Sequence, residues 1–501
     1  MRIGPVIFLL LTVAACRQRG NKLFEKLSPG ETGIEFNNTI TEDKEHNVFT
    51  YQYYYNGNGV AIGDLNNDGL ADIFFTGNQT PSKLFINRGN FHFDDVTATA
   101  GVAGKNAWRT GANIVDINGD GLLDIYVCYS GFGSDQDRAK QLFINKGKDK
   151  SGIPLFEEKA AEYGLDAPGT YTSQSAFFDY DMDGDLDMFL LDHANEFYSP
   201  FFNTRRLRTL RHPQYGNRLY RNDGGHFTDV SSEAGIFGGG NNFGLGIAVS
   251  DINNDGWPDV LVSNDFHEQD YLYLNNKNGT FAEVSQKVFA HMSRNTMGLD
   301  IADFNNDLLP DVVTLDMLPE SNYRQKILQG ADEYDKYNLM VDSGYGHQNN
   351  RNMLQLNQGF GPSGLPVFSE IGQLAGVSNT DWSWASLFAD FDNDGYKDLF
   401  VTNGYLHEST NLDFMKYEVA AALQRAMEKG LDVSTPQSYA RNMPLYDLVK
   451  KMPSSRISNY MFRNKRDLTF ANESANWGLD DPSVSSGAAY ADLDNDGDLD
   501  L

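Results

Sequence analysis

The sequence predicts an all-β fold: a seven-bladed β-propeller with small helical insertions and a truncated last blade. Three observations predict it. An acidic loop, D-x-[DN]-x-D-x-x-x-D, recurs seven times. A second half-pattern of apolar residues, Asn and Gly alternates with the loops. Short apolar runs bounded by turn residues follow them, and such runs read as strands. About four strands per unit of roughly 50 residues, repeated seven times, is the arithmetic of a propeller.

The loops begin at Asp64, Asp116, Asp179, Asp251, Asp303, Asp390 and Asp492, at spacings of 52, 63, 72, 52, 87 and 102 residues. The shortest spacing reads as the bare unit; longer ones carry insertions. The half-pattern runs Leu84-Phe85-Ile86-Asn87, then Phe93 to Val96, then Ala100-Gly101-Val102. It returns from Leu142, Leu219, Leu272, Leu354 and Met461, and a degenerate first copy opens at Leu23. Strand runs include Ile73-Phe74-Phe75, Ile125-Tyr126-Val127, Met188-Phe189-Leu190, Val260-Leu261-Val262 and Leu399-Phe400-Val401. With 48 Gly and 13% aromatics the chain is rich in turn and strand formers.

The acidic loops fit Ca²⁺, which takes six to eight hard oxygen ligands. Side chains at positions 1, 3 and 5 converge, Gly at 6 permits the turn, position 7 offers a carbonyl, and Asp at 9 closes the shell. An EF-hand opens the same way but closes with Glu at 12 and a helix. Here position 12 is a strand residue, such as Phe75, Val127 or Leu190. The expected ligand sets are therefore Asp64, Asn66, Asp68 and Asp72; Asp116, Asn118, Asp120 and Asp124; Asp179, Asp181, Asp183 and Asp187; and Asp251, Asn253, Asp255 and Asp259. The remaining sets are Asp303, Asn305, Asp307 and Asp311; Asp390, Asp392, Asp394 and Asp398; and Asp492, Asp494, Asp496 and Asp500. Up to seven Ca²⁺ are expected. The Asp303 site is the weakest, because Leu308 stands where the other loops have Gly and a branched side chain pays for positive φ. The third and seventh loops, with Asp at every odd position, are expected to bind tightest. The alternative is that Asp, Asn and Gly merely make Asx-turns between strands.

Charge supports a cation. The net charge is −29, and the seven loops hold 26 aspartates. Carboxylates so close repel one another unless a cation sits among them. The same field repels phosphates, so nucleic acid is not an expected partner.

The N-terminus predicts a secretory signal over residues 1–15. Arg2 precedes an apolar run from Ile3 to Ala15, too short to span a bilayer. Val13-Ala14-Ala15-Cys16 resembles a lipobox, which predicts lipidation at Cys16 and a lipidated linker over 16–22; the alternative is an ordinary signal peptide with an incidental Cys. Acyl chains would anchor the protein stably, and the membrane enters only through that anchor. The expected location is the cell envelope, as an outer-membrane lipoprotein on its periplasmic or surface face. The propeller then covers 23–501.

Three insertions interrupt the repeats. Residues 193–217 carry Arg205, Arg206, Arg208, Arg211, His193 and His212, read either as a solvated loop or as an anion contact. Residues 318–350 carry Tyr323, Arg324, Tyr334, Tyr337, Tyr345 and His347, suited to sugar stacking or to core packing. Residues 405–458 predict a helix from Leu412 to Lys429 with Val419, Ala420, Leu423 and Met427 on one face. Insertions of this kind tend to share one face, often the binding face. No nucleophile elbow, HExxH, Walker loop or CxxC is present. Cys128 reads as a buried filler. His267, His291 and His407 join the other histidines as bases for a lyase, though no spacing singles one out.

The repeats resemble the FG-GAP/VCBS family of calcium-loop propellers, which includes the integrin α-subunit head. The stretch NDGGHFTDVSSEAGI followed by GIAVSDINNDGWPDVLVSN is similar to the ASPIC/UnbV, cartilage-acidic-protein group and to Bacteroidetes-type lipoproteins. The resemblance covers about residues 23–501. It implies a seven-bladed propeller with Ca²⁺ loops on blade strands, and roles in adhesion or binding. Some similar propellers are polysaccharide lyases, so fold does not set function. Relatives continue past the point where this chain stops, one residue after position 9 of the seventh loop, which predicts an incomplete seventh blade. The expected function is a calcium-binding envelope module for a glycan or an extracellular protein, more a binder than an enzyme; the alternative is a lyase or hydrolase acting on an anionic glycan.

Overall fold

The computed structural model describes residues 22–196, 205–330 and 334–501. The expected signal segment and Cys16 lie outside the described residues. Six four-stranded antiparallel sheets follow one another along the chain, each with its strands in sequence order. The first joins Val60–Gly63, Asp72–Phe75, Lys83–Asn87 and Phe93–Asp95. The second joins Trp108–Val115, Asp124–Ser130, Gln141–Lys148 and Pro154–Glu158, and the third Thr172–Phe178, Asp187–Asp192, Arg218–Asn222 and Phe227–Asp229. The fourth joins Gly244–Ser250, Asp259–Asn264, Tyr271–Asn275 and Phe281–Glu283. The fifth is built from Gly298–Ala302, Asp311–Leu315, Met353–Phe360 and Pro366–Glu370, and the sixth from Ser383–Ala389, Asp398–Asn403, Tyr460–Asn464 and Phe470–Asn472.

The second strand of each sheet is apolar on both faces because both faces are covered. Asp124–Ser130 is buried throughout. Tyr126, Leu142 and Ile144 of the second sheet pack on Met188, Leu190 and Tyr220 of the third. Phe178, Phe189 and Leu219 of the third pack on Val260, Val262 and Tyr273 of the fourth. The core is thus a series of layers between neighbouring sheets. Each fully buried large apolar side chain contributes about 1.5–3 kcal/mol.

The first strands of successive sheets touch in turn and surround an axial cavity of about 510 Å³. Its wall includes 57–60, 111–113, 173–177, 245–249, 297–299 and 384–387. Residues 486–488 complete it at a seventh position. There the chain forms a small piece of sheet: Ala491 bridges Asp500, and Leu493 packs with Ile34, Phe36, Ile73 and Phe85. The close approach of inner strands requires glycine at points. A Cβ on Gly298 would lie 1.8 Å from the Trp384 carbonyl oxygen.

Connections in an antiparallel sheet alternate between its ends. The acidic loops join first to second strands. The insertions at 193–217, 318–350 and 405–458 all join second to third strands. They therefore emerge at the opposite end, so the molecule has a loop face and an insertion face.

The third insertion corrects one expectation. The helix runs as a π-helical stretch, Phe414–Val419, continuing into α-helix at Ala420–Glu428. Its buried residues are Phe414, Val419, Ala422 and Ala426; Ala420 and Met427 face solvent. A π turn holds more residues than an α turn, so the apolar stripe drawn at a period of 3.6 rotates off register.

Candidate functional site

All seven acidic loops adopt one geometry, built on position 1. The Asp64 carboxylate accepts from the Asp68 N–H (3.0 Å) and the Gly69 N–H (2.8 Å). The same pair of bonds forms at Asp116, Asp179, Asp251, Asp303, Asp390 and Asp492. Position 5 makes an Asx-type turn: Asp68, Asp120, Asp183, Asp255, Asp307, Asp394 and Asp496 each accept from the N–H two residues on. Two of them also meet a cation, Asp255 with Lys277 at 3.3 Å and Asp394 with Arg466 at 2.8 Å. The fifth loop keeps this backbone despite Leu308, which sits at φ 69° with its side chain 82% exposed.

Position 9 is the buried anchor. Asp72 accepts from the Leu65 N–H (2.9 Å) and, through its other oxygen, from the Asn87 N–H (2.8 Å) on the third strand. Asp124, Asp187, Asp259, Asp311 and Asp398 repeat the arrangement with Asn145, Asn222, Asn275, Asn357 and Asn464. The side chains of most of those asparagines tie sheets together, while Asn222 Nδ2 reaches only Leu186 O of its own loop (3.2 Å). Asn145 Nδ2 donates to Leu123 O of its own loop (3.0 Å) and to Leu65 O of the preceding loop (2.8 Å). Asn275 likewise reaches Tyr180 O, Asn357 reaches Ile252 O, and Asn464 reaches Phe304 O. Asn87 reaches Leu493 O (2.7 Å), and Asn495 Nδ2 donates to Gly69 O (3.0 Å), so the seventh loop is joined to the first. In the sequence these asparagines only bound the apolar runs; their recurrence at one place in every half-pattern is the signal of the tie.

In three loops the carboxylates of positions 1, 3 and 9 converge with ligand oxygens within 4.8 Å of one another: Asp179, Asp181 and Asp187; Asp390, Asp392 and Asp398; Asp492, Asp494 and Asp500. The other four loops have Asn at position 3, namely Asn66, Asn118, Asn253 and Asn305. Asn118, Asn253 and Asn305 turn Oδ1 to the N–H at position 5. Asp183 and Asp496, expected as ligands at position 5, stand outside these triads, as does Asp394. The sixth loop thus joins the third and seventh, the two singled out from sequence.

Electrostatics marks the same places. Burial, helped by neighbouring carboxylates, pushes Asp72, Asp187, Asp259, Asp311 and Asp398 up to about 7, and Asp124 and Asp500 up to about 6. Burial and the adjacent Asp side chains also raise Asp181 and Asp392. Asn66 Oδ1, Asp181 Oδ1, Asp392 Oδ1 and Asp494 Oδ1 are buried without a hydrogen-bond partner. An orphaned buried oxygen costs about 1–3 kcal/mol. Oxygen-only donors, mutual repulsion and orphaned atoms at position 3 all fit a hard divalent cation. The Asp triads could hold a metal ion.

On the insertion face, Arg208 is buried and pairs with Glu268 at 2.5 Å, and Arg211 donates to Asn217 O and Ile236 O. These two serve the fold; they are not free for an anion. Arg324 straps the second insertion down through Asp381 (2.5 and 3.0 Å) and Glu408 (2.8 Å). The histidines do not gather into one site. His193 is buried among Tyr51 and Ser130 (Nε2 to Ser130 Oγ 2.8 Å) and burial pushes it down to about 4. His212 stacks on Tyr215, His407 faces Glu42, and His347 Nδ1 meets the Tyr337 hydroxyl at 2.8 Å. Cys128 is wholly buried, and burial pushes its thiol up to about 12, as a filler requires.

Above the axial cavity lies an aromatic roof of Tyr51, Tyr53, Tyr54, Tyr55, Trp108, Trp384 and Tyr405. Beside it is a second cavity of about 610 Å³ that the sequence did not reveal. Its wall carries Phe266, Tyr334, Tyr337 and Trp382, the amides Asn295, Gln348, Asn349 and Asn350, and the cations Arg294 and Lys336. Trp382 stacks on Tyr405 at 3.9 Å and 3°.

This combination of sheets and loops defines the class: a propeller-like all-β fold, its acidic turns on one face and its insertions on the other. Comparison with known proteins finds related repeats. Residues 45–127, 209–262 and 251–314 match the FG-GAP-like repeat. Cartilage acidic protein 1 of Homo sapiens is 26% identical over 32% of this chain and 33% of its own length. The Xenopus tropicalis protein is 28% identical over 42% of this chain and 29% of its own. The chain carries FG-GAP-like repeats and is similar to cartilage acidic protein 1, and it spans about a third of the length of these curated relatives. Among solved structures, it is similar to an Agrocybe aegerita lectin that recognises non-reducing terminal N-acetylglucosamine, with TM-score 0.38, 18% identity, 68% of this chain and 73% of that chain covered. It is also similar to the Bacillus licheniformis rhamnogalacturonan lyase, with TM-score 0.32, 10% identity, 70% and 56% covered. Such distant superpositions bear on neither ligand nor activity. Among the described residues no helix is long and apolar enough to cross a membrane.

Proposed function

We propose that this chain is a Ca²⁺-binding lipoprotein of the cell envelope, anchored in the outer membrane through Cys16. Its propeller acts as a binding or adhesion module for a glycan or an extracellular protein. The observation that carries the reading is the division of labour between the two faces. The loop face is engaged in Asx turns, asparagine ties and carboxylate triads. The insertion face holds an aromatic roof and a cavity of about 610 Å³ with amides and cations in its wall. Up to seven Ca²⁺ occupy the acidic loops, the Asp303 loop most weakly. Calcium there supplies positive charge among converging carboxylates, and the loops in turn hold successive sheets in register. Ligand contact falls to the other face.

A lyase acting on an anionic glycan is the second reading. The observation in its favour is the Tyr337 hydroxyl against His347 Nδ1, at a cavity that also holds Arg294 and Lys336. One experiment separates the two. The full chain, in millimolar Ca²⁺, is incubated with uronic-acid polymers, and both retention and unsaturated-product absorbance are followed. Retention without new absorbance supports the module; growing absorbance supports the lyase; neither, on glycans or on envelope proteins, sinks both.

A further inference from the structure

We propose that the cavity beside Trp382 is the ligand subsite of the insertion face, and that it takes an acidic saccharide, carboxylated or sulfated. This rests on the binding-module reading and deepens it. The chain carries a net charge of −29, yet among the described residues no Asp or Glu stands in the wall of this cavity, while Arg294 and Lys336 both do. Neither cation makes a side-chain hydrogen bond or ion pair among the described residues, whereas Arg208, Arg211 and Arg324 on this face are spent on carboxylates or carbonyls. Two cations without an ion-pair partner among the described residues, set in the wall of one cavity of an acidic protein, point to an anion site.

The rest of the wall suits a sugar. Three polar atoms here are buried without a partner: Trp382 Nε1, a donor, and Gln348 Oε1 and Asn350 Oδ1, acceptors. A ligand with many hydroxyls offers both kinds of partner, and unpaired groups of this sort cost about 1–3 kcal/mol each until something supplies one. The other end of Gln348 is fixed by donation to His267 O (3.2 Å) and Tyr345 O (2.8 Å), so its acceptor end is held in place beforehand. Tyr334 is 77% exposed at the rim and offers a flat apolar face for a sugar ring. The volume, about 610 Å³, matches a small oligosaccharide.

The test is isothermal titration of the full chain, in millimolar Ca²⁺, with hexasaccharides of hyaluronan (carboxylated), chondroitin sulfate (carboxylated and sulfated) and chitin (neutral). The acidic pair is expected to bind at least about 10-fold more tightly than chitin, and the preference to shrink at high salt. Comparison of the two acidic oligomers assigns the charge to carboxylate or sulfate. The double variant Arg294→Gln/Lys336→Gln is expected to lose at least about 10-fold for the acidic ligands with its melting temperature unchanged. Trp382→Phe, which keeps the ring and removes the N–H, is expected to weaken all of them. Acidic binding that survives the double variant overturns the cavity assignment and leaves the binding module standing. Equal affinity for acidic and neutral oligomers overturns the charge argument. No binding to any of the three overturns the proposal outright, while envelope-protein binding on the same face would still uphold the module.

Discussion

If asparagine ties hold neighbouring sheets in register, removing one from the interior should be costly out of proportion to its size. Asn145 is the test position. It is 1% exposed, and its side chain makes three hydrogen bonds: to Leu65 O at 2.8 Å, to Leu123 O at 3.0 Å, and from the Gly147 N–H at 2.9 Å. Asn145→Leu keeps the shape and withdraws all three. A buried hydrogen bond contributes about 1 kcal/mol net, and partners left unpaired lose more, so the expected destabilisation is about 3 kcal/mol. Asn67 provides the contrast. It also bridges two loops, through Gly121 O at 3.0 Å, but at an exposed position with φ 52°. Water replaces that bond, and glycine relieves the left-handed backbone, so Asn67→Gly should stay within about 0.5 kcal/mol of the parent. Urea denaturation followed by tryptophan fluorescence, in millimolar Ca²⁺, reads both. An Asn145→Leu protein that unfolds within about 0.5 kcal/mol of the parent would refute the tie. Equal losses in the two variants would show that burial has nothing to do with it.

Two further outcomes follow from the loops. The position-9 carboxyls are raised from 3.8 to about 6 or about 7, so the folded chain binds protons there that the unfolded chain releases. In chelator, stability should therefore be greatest in acid and fall as pH rises from about 4 to about 7, and Ca²⁺ should restore the melting temperature at neutral pH; a flat profile in chelator, or no response to Ca²⁺, contradicts the cage. Leu308→Gly should stabilise the protein by about 1 kcal/mol, since the side chain is 82% exposed and its φ of 69° is left-handed; a loss of stability in thermal melts would contradict the strain.

Much of the fold was legible because it repeats. Seven copies of one acidic turn, each followed by a strand run such as Ile125-Tyr126-Val127, left little room for another architecture. The turn is a local object: position 1 bonds positions 5 and 6, and such bonds depend on residues close in sequence. Leu308 was visible as the odd member for the same reason. The third-insertion helix was legible in extent but not in face, since a π turn changes the period by which faces are read. The arginines of the first insertion read either as a solvated loop or as an anion contact; the partners that hold Arg208 and Arg211 include Glu268 and Ile236, which lie outside that insertion.

Residue order was enough for the repeat count, the strand runs and the chemistry of each loop, because all of these are written within a dozen or so neighbouring positions. Folding added what depends on distant segments meeting. Asn145 reaches back 80 residues to Leu65 O, and Asn87 reaches 406 residues to Leu493 O. The cavity at Trp382 draws on segments from Phe266 to Thr410. No local pattern marks such a place, because its shape and its pairing of Arg294 with Lys336 in one wall exist only once the sheets have assembled around the axis.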